Sequence, residues 1–492
     1  MSTSAAAEAE RPIKTDIPSR MHAMPWSKFH WMVIFGLGTA WILDGLEVQI
    51  VAAGGFENSL GMSVQQVAFA GTVYLLGEVV GALLFGRLTD TWGRKKMFTT
   101  TLALYLGASA VAAFSPSMWF FLVCRFFAGM GIGGEYSAVN SAVDELIPGK
   151  YRGRVDLAIN GTYWFGAAIG AFASMILLNT DNFDENIGWR LAFLIGPILG
   201  LGIIYLRRHI PESPRWMARN GREEEAEKVV AGIERRIKEA GGTLPDLDDD
   251  ERYVFLKKQE GLTPKQLVYV FFKLYPTRTV LGATLMITQS FLYNAIFFTY
   301  ALVLQNFYDI SKSEAAMYFF PFAIGNLAGP VLLGPLFDTV GRRKMIAGCY
   351  SLAGIILAIS AWLFLQDSLT PMTHTAFWCG AFFFASAGAS AGYLTVSEIF
   401  PQEARGQAIS YFFAIAQCFG ALGPVFYGWL IGDASSRNPL FWGYLIATGI
   451  MLIGALVAMV WGVDAENKSL EEIAPPLIEY DEDGNETSHI PV

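Results

Sequence analysis

The sequence predicts an all-α membrane protein with twelve transmembrane helices in two pseudo-symmetric six-helix bundles. Of its 492 residues, 53% are hydrophobic and 16% are charged, whereas roughly a quarter are charged in an ordinary soluble domain. The apolar residues form blocks about 20 residues long, enough to cross a hydrocarbon core of roughly 30 Å. Sequence motifs also recur in the two halves. The composition therefore argues against a soluble enzyme.

Charged and turn-forming residues separate the apolar blocks, as in SPSM at 115–118 and NTDNFDEN at 179–186. The predicted crossings, numbered 1 to 12 along the chain, cover residues 28–53, 65–85, 97–114, 118–142, 155–178, 188–207, 279–303, 315–337, 344–365, 375–397, 408–430 and 440–463. This predicts an N-terminal bundle at 28–207 and a C-terminal bundle at 279–464. The remaining segments are an N-terminal tail at 1–27, a linker at 208–278 and an acidic tail at 465–492, of which the last residues, 478–492, are predicted to be disordered.

Lysine and arginine set the expected orientation, because the cytoplasmic loops of membrane proteins carry an excess of both. With both termini inside, all of the 35 basic residues lie on the cytoplasmic side except Arg125, Arg190, Lys312 and Arg437. We therefore expect a multi-pass protein of the cell membrane with cytoplasmic termini, tail and linker.

The linker contains one predicted amphipathic helix, in which Ala226, Val230 and Ile233 recur at helical spacing. The DLDDDE run at 246–251 is typical of a solvated loop. The net charge of −9 disfavours a nucleic-acid partner. The four cysteines lie in apolar blocks without CxxC or Cys/His spacing, so we expect neither a metal site nor a cofactor.

An internal repeat relates the two halves. GRLTDTWGRKK at 86–96 returns as GPLFDTVGRRK at 334–344, and ELIPGKYRG at 145–153 returns as EIFPQEARG at 398–406. The repeat distance is about 250 residues, which indicates two homologous six-helix units of the kind found in alternating-access transporters.

Together with RFFAGMGIGGE and PESPRW, these motifs resemble the major facilitator superfamily, and more narrowly its sugar porters and metabolite:proton symporters. The resemblance implies a membrane transporter rather than an enzyme, functional as a monomer in the lipid bilayer. It also implies a cytoplasmic gate of ion pairs that hold in the outward-facing state and break on inward opening. With Glu135, which lies near the cytoplasmic end of crossing 4, the gate residues are Asp90, Arg94, Glu135, Glu145, Arg152, Asp338, Arg342, Glu398 and Arg405. The alternative for the basic loop residues is a simple topology anchor.

Ionisable side chains inside crossings are costly, so each is a functional hypothesis. Asp44 lies about 24 Å along crossing 1 from the cytoplasmic entrance, and Arg125 about 10 Å along crossing 4 from the outer entrance, which brings them to a similar level. Asp44, Glu47, Glu78 and Arg125 are therefore candidates for proton coupling. The resemblance supports an Asp on crossing 1 near an Arg on crossing 4.

Other roles remain open for these four residues. Asp44 and Arg125 could form a purely structural ion pair, Glu47 could face the substrate, and Glu78 could serve a neighbouring helix. Arg125 could also bind a substrate carboxylate directly, because a guanidinium group matches carboxylate geometry.

Polar and aromatic side chains in the crossings are candidates for binding the substrate: Gln289, Tyr293, Asn294, Tyr300, Tyr393, Trp164 and Gln417. Gln289 and Asn294 keep a spacing that resembles the sugar porters, but the usual glycine between them is absent, and Tyr393 stands where that family has tryptophan. The substrate classes left open are sugars or polyols, organic anions and small aromatic metabolites.

The string Gly129-x-Gly131-x-x-Gly134 matches a dinucleotide-binding pattern, but no strand precedes it, so we interpret it as a helix-packing surface. The predicted function is secondary active transport of a small organic solute by proton symport. A uniporter and a transporter-like sensor are the alternatives.

Overall fold

The computed structural model describes residues 13–245, 253–256, 262–464, 473–475, 477–480 and 486–488. Helices form almost all of this part of the chain. The crossings are Lys28–Ala53, Val64–Trp92, Arg94–Ala112, Met118–Leu146, Gly149–Leu177, Glu185–Arg207, Pro276–Phe297 with Tyr300–Tyr308, Lys312–Met317 with Phe319–Thr339, Arg342–Leu365, Pro371–Glu398, Gln402–Gly420 with Leu422–Ile431, and Asn438–Trp461. Shorter helices are Ile17–Ala23, Glu57–Leu60, Pro214–Arg219, Glu223–Glu239 and Pro264–Tyr269, with a π-helix at Val270–Leu274.

Among the residues that the structure describes, eight helical segments are long and apolar enough to span a membrane by length and composition alone. Crossings 3, 4, 5 and 10 are outside that set; among the described residues, Gly161–Leu177 of crossing 5 forms a shorter apolar helix.

The two halves repeat one packing pattern. In the first half, crossing 2 packs on 4, crossing 1 on 5, and crossing 3 on 4 and 6; in the second half, crossing 8 packs on 10, crossing 7 on 11, and crossing 9 on 10 and 12. These are equivalent pairs when six is added to each number. The internal repeat of the sequence therefore corresponds to a repeat in structure.

The halves meet through crossings 2 and 11 and through crossings 5 and 8, which is again a symmetric arrangement. Gly71 on crossing 2 allows a close approach, because a Cβ atom there would lie 2.7 Å from the Phe298 ring of crossing 7. The Thr72 hydroxyl donates to the Ala421 carbonyl of crossing 11 at 2.6 Å. Crossings 2, 7 and 11 therefore meet between the halves, where a central site can form.

The tail and the linker lie at one end of the bundle, which we call the linker end; the other end is the far end. Strand Ile13–Thr15 pairs antiparallel with Val254–Leu256. Arg20 donates to both carboxylate oxygens of Glu234 at 2.8 Å and to Glu227 at 2.7 Å. These hydrogen bonds, that to Glu234 first, raise the pKa of the Arg20 guanidinium against the opposing effect of burial.

Some expectations need correction. The sequence predicts disorder over 478–492, but Ile478–Tyr480 pairs with Glu486–Ser488 in a short antiparallel hairpin. Crossings 7, 8 and 11 are each divided into two helices rather than continuous. The linker contains the predicted helix at Glu223–Glu239, with Ala226, Val230 and Ile233 buried, whereas the run 246–251 lies outside the described residues.

Candidate transport site

Glycines on crossing 4 bring it into contact with crossing 2 and so position Tyr74 and Glu78. A Cβ atom at Gly129 would collide with the Tyr74 carbonyl, and one at Gly133 with the Glu78 carbonyl. The backbones can touch only because both side chains are missing. This part of crossing 4 is a helix-packing surface, as its position within a membrane helix predicts.

Arg125 on crossing 4 pairs with Glu47 on crossing 1, and both side chains are buried. The second oxygen of Glu47 accepts the Ser109 hydroxyl of crossing 3 at 2.5 Å. The Arg125 guanidinium also lies 4.1 Å from the centre of the Tyr74 ring, a cation–π arrangement. Crossings 1 and 2 therefore contact this guanidinium directly, and crossing 3 holds its carboxylate partner.

Asp44 lies one helical turn before Glu47 but has different partners. One oxygen accepts the Tyr74 hydroxyl and the other the Tyr136 hydroxyl, each at 2.6 Å. The structure therefore places Asp44 near Arg125 but gives the direct ion pair to Glu47. In this conformation, protonating Asp44 would affect its tyrosine hydrogen bonds first.

Glu78 makes the contact between this cluster and the second half. Its Oε2 atom accepts from Nε2 of Gln417 on crossing 11 at 2.5 Å. The Oε1 atom of Gln417 accepts the Ser290 hydroxyl of crossing 7 at 2.6 Å, and Asn294 donates to that hydroxyl oxygen at 3.2 Å. The chain of hydrogen bonds thus runs from Asn294 to Glu78.

The charges of the cluster do not balance. Three buried carboxyl groups, Asp44, Glu47 and Glu78, share the electrostatic influence of one cation, Arg125, among the side chains that the structure describes. Within the same described residues, no group of three or more His, Cys, Asp or Glu could hold a metal ion. A proton bound to one of the three carboxyl groups would remove one negative charge and so reduce this imbalance.

Aromatic side chains from both halves form a second cluster around Trp164 of crossing 5. Its ring centre lies 6.1 Å from that of Tyr293, 6.0 Å from Phe297 and 6.4 Å from the stacked Phe319 ring. Tyr293 in turn packs edge-on against Phe382 at 4.8 Å. Edge-on and offset-stacked contacts are the preferred packing geometries of aromatic rings.

The remaining candidate residues lie around these aromatic rings. Tyr293 donates to Asn326 of crossing 8 at 2.9 Å. Gln289 is buried and lies close to the hydroxyl of Tyr393 on crossing 10, whose side chain is 40% exposed. Tyr300 accepts from Gln49 of crossing 1 at 2.6 Å. Tyr300 therefore joins the two halves rather than lying with Gln289.

Sequence reasoning missed several of the partners just described: Gln49, Tyr74, Ser109, Tyr136, Ser290 and Asn326. Gln49 and Asn326 had a usable signal, because each is an isolated amide in an apolar helix. The serines and tyrosines had none, since these residues are common in helix packing.

The far end carries ion pairs between the halves. Nζ of Lys312, at the start of crossing 8, lies 2.7 Å from Glu57 and 3.0 Å from Glu185. Glu185 also accepts from the side-chain amide of Asn58 at 2.5 Å. With the contact between Gln49 and Tyr300, these interactions close the far end between the halves.

The predicted gate residues form equivalent pairs within each half at the linker end. Arg94 pairs with Glu145 at 2.9 Å, and Arg342, its counterpart in the repeat, pairs with Glu398. Arg405 donates to the Phe400 carbonyl at 3.5 Å. The side chains of Asp90, Arg152 and Asp338 lie outside the described part of the structure.

Glu135 belongs to another interaction of the first half. It pairs with Arg207 of crossing 6, and Arg207 also donates to the Gly36 carbonyl of crossing 1 at 2.8 Å. The PESPRW motif has a local role as well, because Glu212 accepts from the backbone N–H groups of Arg94 and Lys95 at 2.9 and 3.2 Å. A carboxylate at a helix N-terminus stabilises the start of crossing 3.

Comparison with solved structures confirms the fold. The xylose transporter XylE from E. coli, in a partially occluded inward open conformation, matches with a TM-score of 0.69 and 19% identity over 90% of this chain and 100% of that chain. A D-xylose-proton symporter matches with the same TM-score and 17% identity over 89% of this chain and 99% of that chain. The fold is therefore that of a twelve-helix major facilitator superfamily transporter.

Sequence comparison gives the family. The model of the sugar (and other) transporter family matches residues 45–476, so the chain belongs to that family. The niacin transporter NiaP of Acinetobacter baylyi is 26% identical over 93% of this chain and 99% of its own length. The benzoate transport protein of the same organism is 24% identical over 91% and 92% of the two chains. The protein is a multi-pass membrane transporter of small metabolites and not an enzyme.

Proposed function

We propose that the protein is a proton symporter for a small aromatic metabolite, most simply an aromatic carboxylic acid, in the cell membrane. The observation that carries proton coupling is the unequal charge of the central cluster, where three buried carboxyl groups face one guanidinium. Leaving all three ionised in a low-dielectric bundle is costly. A proton resident in the cluster removes part of that cost and can be exchanged as the cavity becomes wet.

The aromatic cluster supports the solute class. Trp164 of the first half faces Tyr293 and Phe297 of the second half, so a planar solute bound between them would contact both halves. The relatives named as niacin and benzoate transporters carry aromatic acids by their names.

Arg125 offers a site for the carboxylate. Its Nη1 atom pairs with Glu47, while Nε and Nη2 are buried with no hydrogen-bond partner among the described residues. These two N–H groups form the edge of a guanidinium that binds a carboxylate through two parallel hydrogen bonds. We propose that this edge binds the solute carboxylate when the halves separate.

The orientation follows from the distribution of Lys and Arg, which assigns the linker end and both termini to the cytoplasm. The closed far end then faces outward. We propose that its ion pairs break when the linker end closes. The repeated pairs Arg94–Glu145 and Arg342–Glu398 each lie within one half and are formed while the far end is closed, so we propose that they hold the loops of the cytoplasmic gate in place rather than break on inward opening.

Uptake into reconstituted vesicles with an imposed proton gradient tests this function. Labelled nicotinate, benzoate, xylose and a polyol are offered in parallel, with protein-free vesicles as the control for passive entry of weak acids. We expect accumulation of the aromatic acids that depends on external acid. Uptake unchanged by the gradient would identify a uniporter, and preference for xylose would contradict the proposed solute class.

A further inference from the structure

The three buried carboxyl groups of the first half differ in what their oxygen atoms bind. Each oxygen of Asp44 accepts a tyrosine hydroxyl. The two oxygens of Glu47 accept from a guanidinium and from a serine hydroxyl. A proton placed on an oxygen of either group therefore weakens a charge-assisted hydrogen bond that this oxygen already accepts.

Glu78 is the exception in this respect. Its Oε2 atom accepts from Gln417, whereas Oε1 has no hydrogen-bond partner among the residues that the structure describes. A proton can therefore bind Oε1 without weakening a hydrogen bond at that atom. Glu78 is also the carboxyl group of the three that contacts the second half.

The contact with the second half has a defined direction. Ser290 donates to Gln417 Oε1, so the amide of Gln417 presents its N–H group to Glu78. A hydrogen bond to an ionised carboxylate is roughly twice as strong as one to a neutral group. The charge of Glu78 therefore changes the interaction that holds Gln417, a candidate solute-binding residue.

Ionisable groups on five crossings interact electrostatically with Glu78. They are Asp44 on crossing 1, Tyr74 on crossing 2, Arg125 and Tyr136 on crossing 4, Tyr163 on crossing 5 and Tyr393 on crossing 10. Tyrosine side chains are neutral at physiological pH. Asp44 and Arg125 are thus the charged neighbours of Glu78.

Building on the proposed symport, we infer that Glu78 carries the coupled proton and that Gln417 transmits its protonation to the solute site. One proton binds Oε1 of Glu78 from the side on which the solute enters, and the same proton leaves on the opposite side. Only the O–H bond forms and breaks. When the solute recruits the Gln417 amide, Glu78 loses its donor and holds the proton instead.

The test compares Glu78→Gln with Asp44→Asn in reconstituted protein, using labelled nicotinate and benzoate as probes. Glutamine has the shape of a protonated glutamate and can still accept from Gln417. We expect Glu78→Gln to reduce proton uptake per solute at least about tenfold, while solute exchange stays within about threefold of wild type. Equal proton coupling in Glu78→Gln and wild type would overturn the inference.

Infrared difference spectroscopy supplies a readout without solute. The contribution of Glu78 to the carbonyl band of protonated carboxyl groups, obtained between mildly acidic and alkaline buffers by subtracting variant from wild-type spectra, should be lost in Glu78→Gln and kept in Asp44→Asn. A band that survives in Glu78→Gln and disappears in Asp44→Asn would assign the proton to Asp44 and contradict the inference.

Two further variants keep the outcomes distinct. Ser290→Ala removes the hydroxyl that orients Gln417, and we expect bound solute to stop changing the infrared band, although the band itself remains. A band that still responds to the solute would argue against transmission through Gln417.

Glu239→Gln, at an exposed site on the linker helix, is the matched control and should behave as wild type. If wild-type protein shows no proton uptake with solute, the proposed symport itself fails.

Discussion

Lys312 offers a direct way to change the equilibrium between the two orientations of the halves. It lies on the second half and pairs with two carboxylates of the first, Glu57 at 2.7 Å and Glu185 at 3.0 Å. The three side chains are 23%, 18% and 43% exposed, so solvent screens the pairs in part. Lys312→Met keeps most of the length of the side chain but removes the charge.

The magnitude follows from the contribution of partly exposed ion pairs, up to about 1 kcal/mol each. Two pairs give about 0.4–2 kcal/mol, and each 1.4 kcal/mol is a factor of ten in an equilibrium constant. We therefore expect Lys312→Met to raise the ratio of far-end-open to far-end-closed protein by about 2- to 30-fold. Such a change is readily measured if the open form is a minor population.

Distance measurement between spin labels provides the assay. Cysteines introduced at Asp181 and Ser435 place one label on an exposed far-end loop of each half, in a background without the four native cysteines. The matched control is Arg437→Ala, which breaks an ion pair of 2.6 Å with Asp367 inside the second half. Equal distance distributions for Lys312→Met and wild type, or a larger change in Arg437→Ala, would refute the assignment.

Three other predictions concern the first half and the linker that follows it. Arg125→Lys keeps the charge beside Glu47 but loses the planar Nε–Nη2 edge, so uptake of labelled benzoate should fall at least about tenfold, with unchanged expression; uptake within twofold of wild type would argue against carboxylate binding there. Glu212→Gln removes the charged acceptor at the start of crossing 3 and should lower the free energy of unfolding by about 0.5–2 kcal/mol, measured as thermal unfolding in detergent; an unchanged midpoint would contradict that role. Trp164→Leu should weaken benzoate binding by about 0.5–1.5 kcal/mol beyond lost contact area, whereas Phe165→Leu, at a 62% exposed neighbour, should bind like wild type; equal effects would contradict the aromatic site.

The overall architecture was accessible from sequence because its signals are long and repeated. Twelve apolar blocks and two copies of the loop motifs predict the number of helices and the relation between halves. The division of crossing 7 had a weaker signal than that of crossing 11, where Gly420, Gly423 and Pro424 flank the break at Ala421. No proline or glycine occurs at the break around Phe298 and Thr299, where the Thr299 hydroxyl bonds back to the Ala295 carbonyl. Contacts across the halves decide such breaks.

The sequence predicted how deep the residues of the candidate site lie in the membrane, but not which of them form pairs. Rise per residue places Asp44 and Arg125 at one level, yet it does not say which neighbouring carboxylate the guanidinium meets. Both oxygens of Asp44 accept tyrosine hydroxyl groups, and Arg125 forms its ion pair with Glu47. The link between Glu78 and Gln417 joins residues from different halves, and a single sequence contains no information on that juxtaposition.

The most direct measurement of proton symport follows the medium around vesicles that contain the purified protein. Labelled nicotinate or benzoate is added outside in weakly buffered solution without an imposed gradient, and a pH indicator reports the external medium, with protein-free vesicles subtracted. The account predicts that external pH rises as solute enters, with one proton taken up per solute under a shunted membrane potential. Entry of solute without a protein-dependent rise in external pH would contradict it.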